Sequence, residues 1–506
     1  MSIKLRIQSS RRQVLMSKPK SRIFTALRAV LSFFGLTVLC AGQGIEATLT
    51  VDGASRMATV NGKFISDGKV LRNLSFTNAA VAAPNLVSRI SNIVLYDAEG
   101  EAISFRRFSP GEFAAEGEIS SFSYTVALAP LPDPRSDVHV SWSIGSRSLL
   151  IIDDLLPHTL AGRSPRATLA VVEGNDATII TTSSRRADGR YDLPDRSKAV
   201  FLLNGLHPAS FRDLKGQSVD LAISGERHFT DEEATAMANA IVERYANGFG
   251  GRPDGKPRVI LLQYDRGPLP HGTWEARTIG NTVIVISTDM PFRSQSLQRL
   301  HEQLRHELFH LWIPNGVRLD GPYDWFFEGF ALYHSLKIGV EMNRITFNDM
   351  LDTLSRAYHL EKKEPRRSLI EWSLERWRGN ETRVYAHGML IAFHADVLLL
   401  ERSGGKASVE SLLRDLYLRY RERSAPSAAS DVVIKMLSEH ATLAALVRDN
   451  VLGSEPIRNT SVLEAAGLEF SPDTDRDRLS VRAKTNGRQK AMLDRLGYNS
   501  WRKIRK

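Results

Sequence analysis

Two textures divide the chain, and the first is alternation. Phe122-Ser123-Tyr124-Thr125-Val126-Ala127-Leu128 switches between apolar and polar with period two, and the apolar run 93–96 leads into the turn Asp97-Ala98-Glu99-Gly100. The stretches 167–173, 177–182 and 198–204 read as further strands, so residues 45–205 are predicted to form an all-β sandwich. No charged or histidine cluster with catalytic spacing stands out in this part. It reads as a scaffold, or as a wall beside a substrate.

Near Phe229 the period changes. Thr230-Asp231-Glu232-Glu233 is a helix start that 234–245 continues, and 259–262 and 281–287 are strands. Beyond them helices are predicted over 296–312, 325–338, 347–357, 384–402, 409–420 and 429–447. The chain therefore reads as multidomain: an N-terminal all-β sandwich at 45–205, an α+β domain at 225–340, an α-helical domain at 341–470 and a basic tail at 471–506. In the tail, 479–483 is strand-like, Asn486-Gly487 is a turn candidate and the end reads as loose.

Composition is ordinary for a globular protein: 506 residues, 42% hydrophobic and 25% charged. The net charge of +10 suggests a nucleic-acid or anionic-membrane partner until its position is examined. Residues 1–41 hold eight basic residues and no acidic one, and 476–506 hold eleven basic against two acidic. The body between them carries 48 basic and 55 acidic residues, a net −7. A nucleic-acid partner is excluded on that count, and a weak contact of the basic tail with an anionic membrane surface remains.

The first segment explains its own charge. Basic residues up to Arg28 precede the apolar run Ala29-Val30-Leu31-Ser32-Phe33-Phe34-Gly35-Leu36-Thr37-Val38-Leu39-Cys40-Ala41 and then small residues, the layout of a signal peptide over 1–41. The expected location is exported, either periplasmic or secreted. The alternative is a chain held at the membrane by this segment uncleaved, although its apolar run is short against the ~17 to 25 residues that spanning takes. Cys40 is the one cysteine, so the processed chain has no disulfide, thiolate nucleophile or thiolate metal site.

Chemistry concentrates in His306-Glu307-Leu308-Phe309-His310. On a helix, positions i and i+4 share a face, so His306 and His310 can hold one tetrahedral ion while Glu307 stands beside it. Leu297, Leu300, Leu304, Leu308 and Leu311 fall on the opposite face and predict the buried side. A catalytic zinc needs a third ligand and an open position. Glu328 supplies a carboxylate 18 residues on, a lone acid among Trp325, Phe326, Phe327 and Phe330, with Asp324 as the expected N-cap of its helix.

Arg305-His306-Glu307-Leu308-Phe309-His310-Leu311-Trp312, with Trp325-Phe326-Phe327-Glu328-Gly329-Phe330-Ala331-Leu332-Tyr333, resembles the gluzincin metallopeptidases and most of all the glycyl-aminopeptidase family. Val384-Tyr385-Ala386-His387-Gly388-Met389, Gly404-Gly405-Lys406-Ala407-Ser408-Val409 and Gly272-Thr273-Trp274-Glu275-Ala276 are similar to further motifs of that family. The resemblance covers roughly 229–470. It implies a thermolysin-like α+β catalytic domain, a Zn2+ cofactor and hydrolysis of peptide bonds, with removal of N-terminal residues as the expected activity. It further implies metal ligation by His306, His310 and Glu328, proton transfer by Glu307, oxyanion stabilisation by Tyr385, and recognition of the substrate ammonium by Glu275. Thr273-Trp274 and Ala276 depart from the family pattern around Glu275, and His387 stands where the family has lysine. His301, His334 and His394 read as surface or core histidines. An endopeptidase using the same site is the nearest alternative. A catalytically silent, zinc-bearing binding or scaffold protein is the other. The partner expected in every case is a peptide or protein, and oligomeric state is not legible.

Overall fold

A computed structural model describes residues 44–65, 71–158, 166–173, 178–204, 211–212, 218–267, 269–362, 367–376, 379–422, 425–457, 460–471 and 478–500. Residues 1–41, the segment expected to direct export, lie outside them, and Cys40 with them.

The alternating N-terminal part forms an eight-stranded sheet whose centre is the hairpin Gly44–Asp52 and Met57–Ile65, flanked by Arg166–Val172 on one side and Ser121–Ala127 on the other. Ile45, Ala47, Leu49, Val60, Phe122 and Tyr124 all point into one buried cluster, as period two requires. The second layer is four-stranded, in the order Trp142–Ile144, Arg147–Ile151, Val200–Leu203, Ile179–Ile180. Its strands are apolar on both faces. Leu150, Phe201 and Leu203 pack against the large sheet, while Leu149, Ile151, Val200 and Leu202 face the other way, onto Ile260, Leu262, Ile284 and Ile286. The four-stranded sheet is therefore a shared middle layer, which is why Val200-Phe201-Leu202-Leu203 has no polar position.

The layer it meets is a mixed five-stranded sheet in the order Phe211–Arg212, Asp220–Ile223, Arg258–Gln263, Thr282–Ser287, Trp274–Ile279. Trp274–Ile279 lies at its edge, antiparallel to Thr282–Ser287. The far face of this sheet carries the helices Asp231–Phe249 and Arg293–Phe309, the first opened by a Thr230/Glu233 capping box and closed by Gly250 in the left-handed region.

From Val219 to Leu496 one continuous apolar core runs through the remaining helices, so packing does not pause at residue 340. Its axis is Glu381–Arg402, long and apolar enough to cross a membrane but with 78% of its most apolar window buried inside the protein. The stretch expected as one helix over 429–447 is broken. The helix Ala429–Glu439 ends at His440, whose backbone is extended, and a short turn precedes Ala444–Leu446.

The segment after Phe470 is ordered where it is described. Leu468–Ser471 pairs antiparallel with Arg478–Val481, and the Leu479 amide donates to Ser355 Oγ at 2.8 Å. Asn486-Gly487 does not make the expected turn. Asn486 caps the helix Gly487–Leu496, which buries Met492, Leu493 and Leu496.

Candidate metal centre

The helix Arg293–Phe309 buries Leu300, Leu304 and Leu308 completely, with Leu311 just beyond it, and so turns His306 and His310 the other way. The helix ends at His310, which is its C-cap. There the His310 Nδ1 lies 3.0 Å from the Ile313 carbonyl oxygen. A carbonyl only accepts, so Nδ1 carries a proton and Nε2 is the atom turned toward the centre.

Glu328 comes from Asp324–Glu341. Asp324 is not the N-cap expected of it: Tyr323 occupies that position, and Asp324, the first helical residue, is ion-paired with Arg376. The carboxylate nevertheless arrives where it was expected. His306 Nε2 lies 3.1 Å from Glu328 Oε2, His310 Nε2 lies 3.5 Å from the same oxygen, and the two imidazole nitrogens are 3.2 Å apart. Two lone-pair nitrogens and a carboxylate oxygen repel one another unless a cation or protons stand between them. A tetrahedral zinc with ligand bonds of ~2.0 to 2.1 Å sets its ligand atoms roughly 3.3 Å apart, so the donor set fits that ion. Among the described residues this is the one group of three His, Cys, Asp or Glu side chains gathered closely enough to hold a metal.

The electrostatics agree. Burial opposes charge on both His310 and Glu328, yet each holds the other ionised: Glu328 raises the His310 imidazole to about 9, and the two histidines hold the Glu328 carboxyl far below its usual range. A proton on the metal-free chain thus occupies the place of a cation.

The centre opens into a cleft of about 860 Å³ lined by Glu275, Ala276, His306, Glu307, Tyr385 and Met389, among others. Glu307 is 5% exposed, and its Oε2 accepts a 2.7 Å hydrogen bond from the Thr278 hydroxyl. Tyr385 projects from Glu381–Arg402 with its hydroxyl bonded to nothing among the described residues. Burial, and next Glu328, push its pKa up, so it stays a donor. Glu275 sits on the edge strand and makes no hydrogen bond or ion pair among the described residues. Burial, the largest influence, raises its carboxyl to about 7 against the opposing pull of Arg135.

All six residues singled out from the sequence therefore come to one site. The β domain reaches the edge strand: the His139 carbonyl accepts from Arg277 at 3.3 Å, and the His139 imidazole, lowered to about 3 by burial and then by Arg277, is neutral. Arg277 and Thr278 were missed. They lie two and three residues past Glu275 on the same strand, and no residue pattern marks them. His301, His334 and His394 are core residues, 1%, 2% and 0% exposed. His387 Nε2 lies 3.4 Å from Glu361, not at the centre.

No protein-family model and no curated protein sequence matches the chain. Among solved structures, an aminopeptidase N family protein from Idiomarina loihiensis matches it with a TM-score of 0.68 at 15% identity, over 88% of this chain and 82% of that one. The two share a fold: a sheet-rich N-terminal region, a mixed α/β middle and C-terminal helices.

Proposed function

We propose that the chain is an exported zinc peptidase that hydrolyses peptide bonds next to a free N-terminus. The observation that carries this reading is the convergence of His306, His310 and Glu328 within hydrogen-bonding distance, with Glu307 and Tyr385 on the same cleft. The shared fold with an aminopeptidase N family protein supports it, and the helix-on-sheet arrangement around His306 supports a thermolysin-like core.

His306, His310 and Glu328 would hold a zinc ion, which when bound would supply Lewis acidity for activating water near neutral pH. The chain's own groups do the rest. Glu307 accepts the proton of the attacking water and returns it to the amine that leaves. The Tyr385 hydroxyl donates to the carbonyl oxygen as charge builds on it. Glu275, without an internal partner, offers its carboxylate to the substrate ammonium, which selects chain ends over internal bonds.

The test uses purified zinc-loaded protein and matched peptides, one with a free amine and one N-acetylated, beside Glu307→Gln. Cleavage of the free-amine peptide alone, abolished by Glu307→Gln, is expected. Preferred cleavage of the acetylated peptide would make the protein an endopeptidase, and tight zinc without turnover would make it a binding protein.

A further inference from the structure

A general base is useful only if one carboxylate oxygen is held toward the water while the other is kept from turning away. Glu307 has that division. Its Oε2 is 2.7 Å from Thr278 Oγ1, and the same hydroxyl is 2.7 Å from the Glu307 carbonyl oxygen. Oε1 makes no hydrogen bond among the described residues, and Glu307 lines the cleft.

The scaffold behind the hydroxyl is stiff. Thr278 is on the edge strand Trp274–Ile279, paired with Val283 of the neighbouring strand. Trp274 and Ala276, on its side of the pleat, pack into the core shared with the ligand helix, whereas Ile279 turns to the other core. A β-branched side chain on such a strand has few rotamers, so the hydroxyl is presented in one place. Valine has the same shape without the hydrogen bond. Serine keeps the bond.

We propose that Thr278 is the positioning residue of the base: its hydroxyl ties Glu307 Oε2 to the edge strand and leaves Oε1 for the water. This rests on the reading of Glu307 as proton acceptor. Because the strand that carries Thr278 also carries Glu275, three positions earlier, a substrate amine bound at Glu275 and the base at Glu307 are both tied to one piece of backbone. Misplacing a catalytic group by even ~1 Å is costly to the chemical step, while ground-state binding is little affected.

The experiment compares wild type, Thr278→Val, Thr278→Ala and Thr278→Ser, each zinc-loaded and each checked for zinc content and melting temperature. Two quantities are read: kcat and KM on a free-amine peptide, and the affinity of leucine hydroxamate by calorimetry, since that ligand must also surrender a proton to a correctly aimed carboxylate. The expected result is a ten- to hundredfold fall in kcat for the valine and alanine variants with KM within about twofold, hydroxamate binding weakened at least tenfold, and both restored by serine. Should valine fail to fold, the smaller alanine carries the comparison. Valine and alanine variants equal to wild type in kcat and hydroxamate affinity would overturn the inference and leave the peptidase reading intact. A wild type that turns over no peptide would overturn that reading instead, and the hydroxamate arm would still decide the role of Thr278.

Discussion

Gly329 and Gly388 face each other where the helices Asp324–Glu341 and Glu381–Arg402 cross. A Cβ built on Gly329 would stand 2.4 Å from the Gly388 Cα, and one built on Gly388 would stand 2.0 Å from the Trp325 carbonyl oxygen. Backbone touches backbone there, so neither helix can shift to admit a side chain. Glu328 precedes one glycine and Tyr385 lies three residues before the other, which is how a carboxylate and a phenol from separate helices come to one site.

Gly388→Ala accordingly forces the helices apart. Overpacking a close-packed contact costs typically about 1 to 3 kcal/mol, and a backbone collision belongs at the upper end. The expected outcome is a destabilisation of at least about 2 kcal/mol in urea, with reduced zinc content in the fraction that remains folded. An unchanged midpoint would show that the helices can separate freely.

Tyr385→Phe removes a hydroxyl that the fold does not use. Stability and zinc content should therefore stay at wild-type values, while kcat falls by roughly two to three orders of magnitude, the usual effect of deleting one oxyanion donor. A KM change with kcat preserved would instead place the hydroxyl on the ground-state substrate.

The centre was legible because its signal is local. His310 follows His306 by four positions, one helical turn, and an acid surrounded by Trp325, Phe326 and Phe327 needs a reason to be there. Thr278 carries no such signal: a threonine on a strand is ordinary, and its meaning comes from the tertiary register that sets it against Glu307. The fold divides the same way. Alternation over 122–128 marked a half-buried strand, found at Ser121–Ala127, whereas Val200–Leu203, apolar throughout, could not say which two layers it separates. Asn486-Gly487 fits a hairpin turn and a helix start equally well, and the apolar contacts of Met492, Leu493 and Leu496 decided between them.

Zinc should stabilise the folded chain as well as serve the proposed reaction. The metal-free centre confines two imidazoles and a carboxylate that a cation would satisfy, so chelation should lower the melting temperature and zinc should restore it. Binding to the folded state alone contributes about 2.7 kcal/mol at a free ligand concentration a hundred times Kd, and the rise should continue with the logarithm of zinc. His310→Ala should flatten that dependence. A melting temperature indifferent to zinc in the wild type would deny the site its ion.

Glu275 gives the activity a pH signature. Its carboxyl titrates near 7 in the folded protein against an ordinary 4.5. The neutral acid cannot pair with an ammonium, so kcat/KM on free-amine peptides should fall as pH drops through about 7, the value belonging to the free enzyme. A substrate ammonium at Glu275 would favour its ionised form, and kcat should then show the limb at lower pH. The same shift has a stability consequence of opposite sense. Between about 4.5 and 7 the folded chain holds a proton that the unfolded chain has released, so this residue's contribution falls as pH rises through that window. Glu275→Gln should therefore melt higher than wild type at pH 8, match it at pH 4, lose the acid limb of kcat/KM, and cleave free and acetylated peptides with similar efficiency. A variant that keeps its preference for the free amine would move ammonium recognition to another group in the cleft.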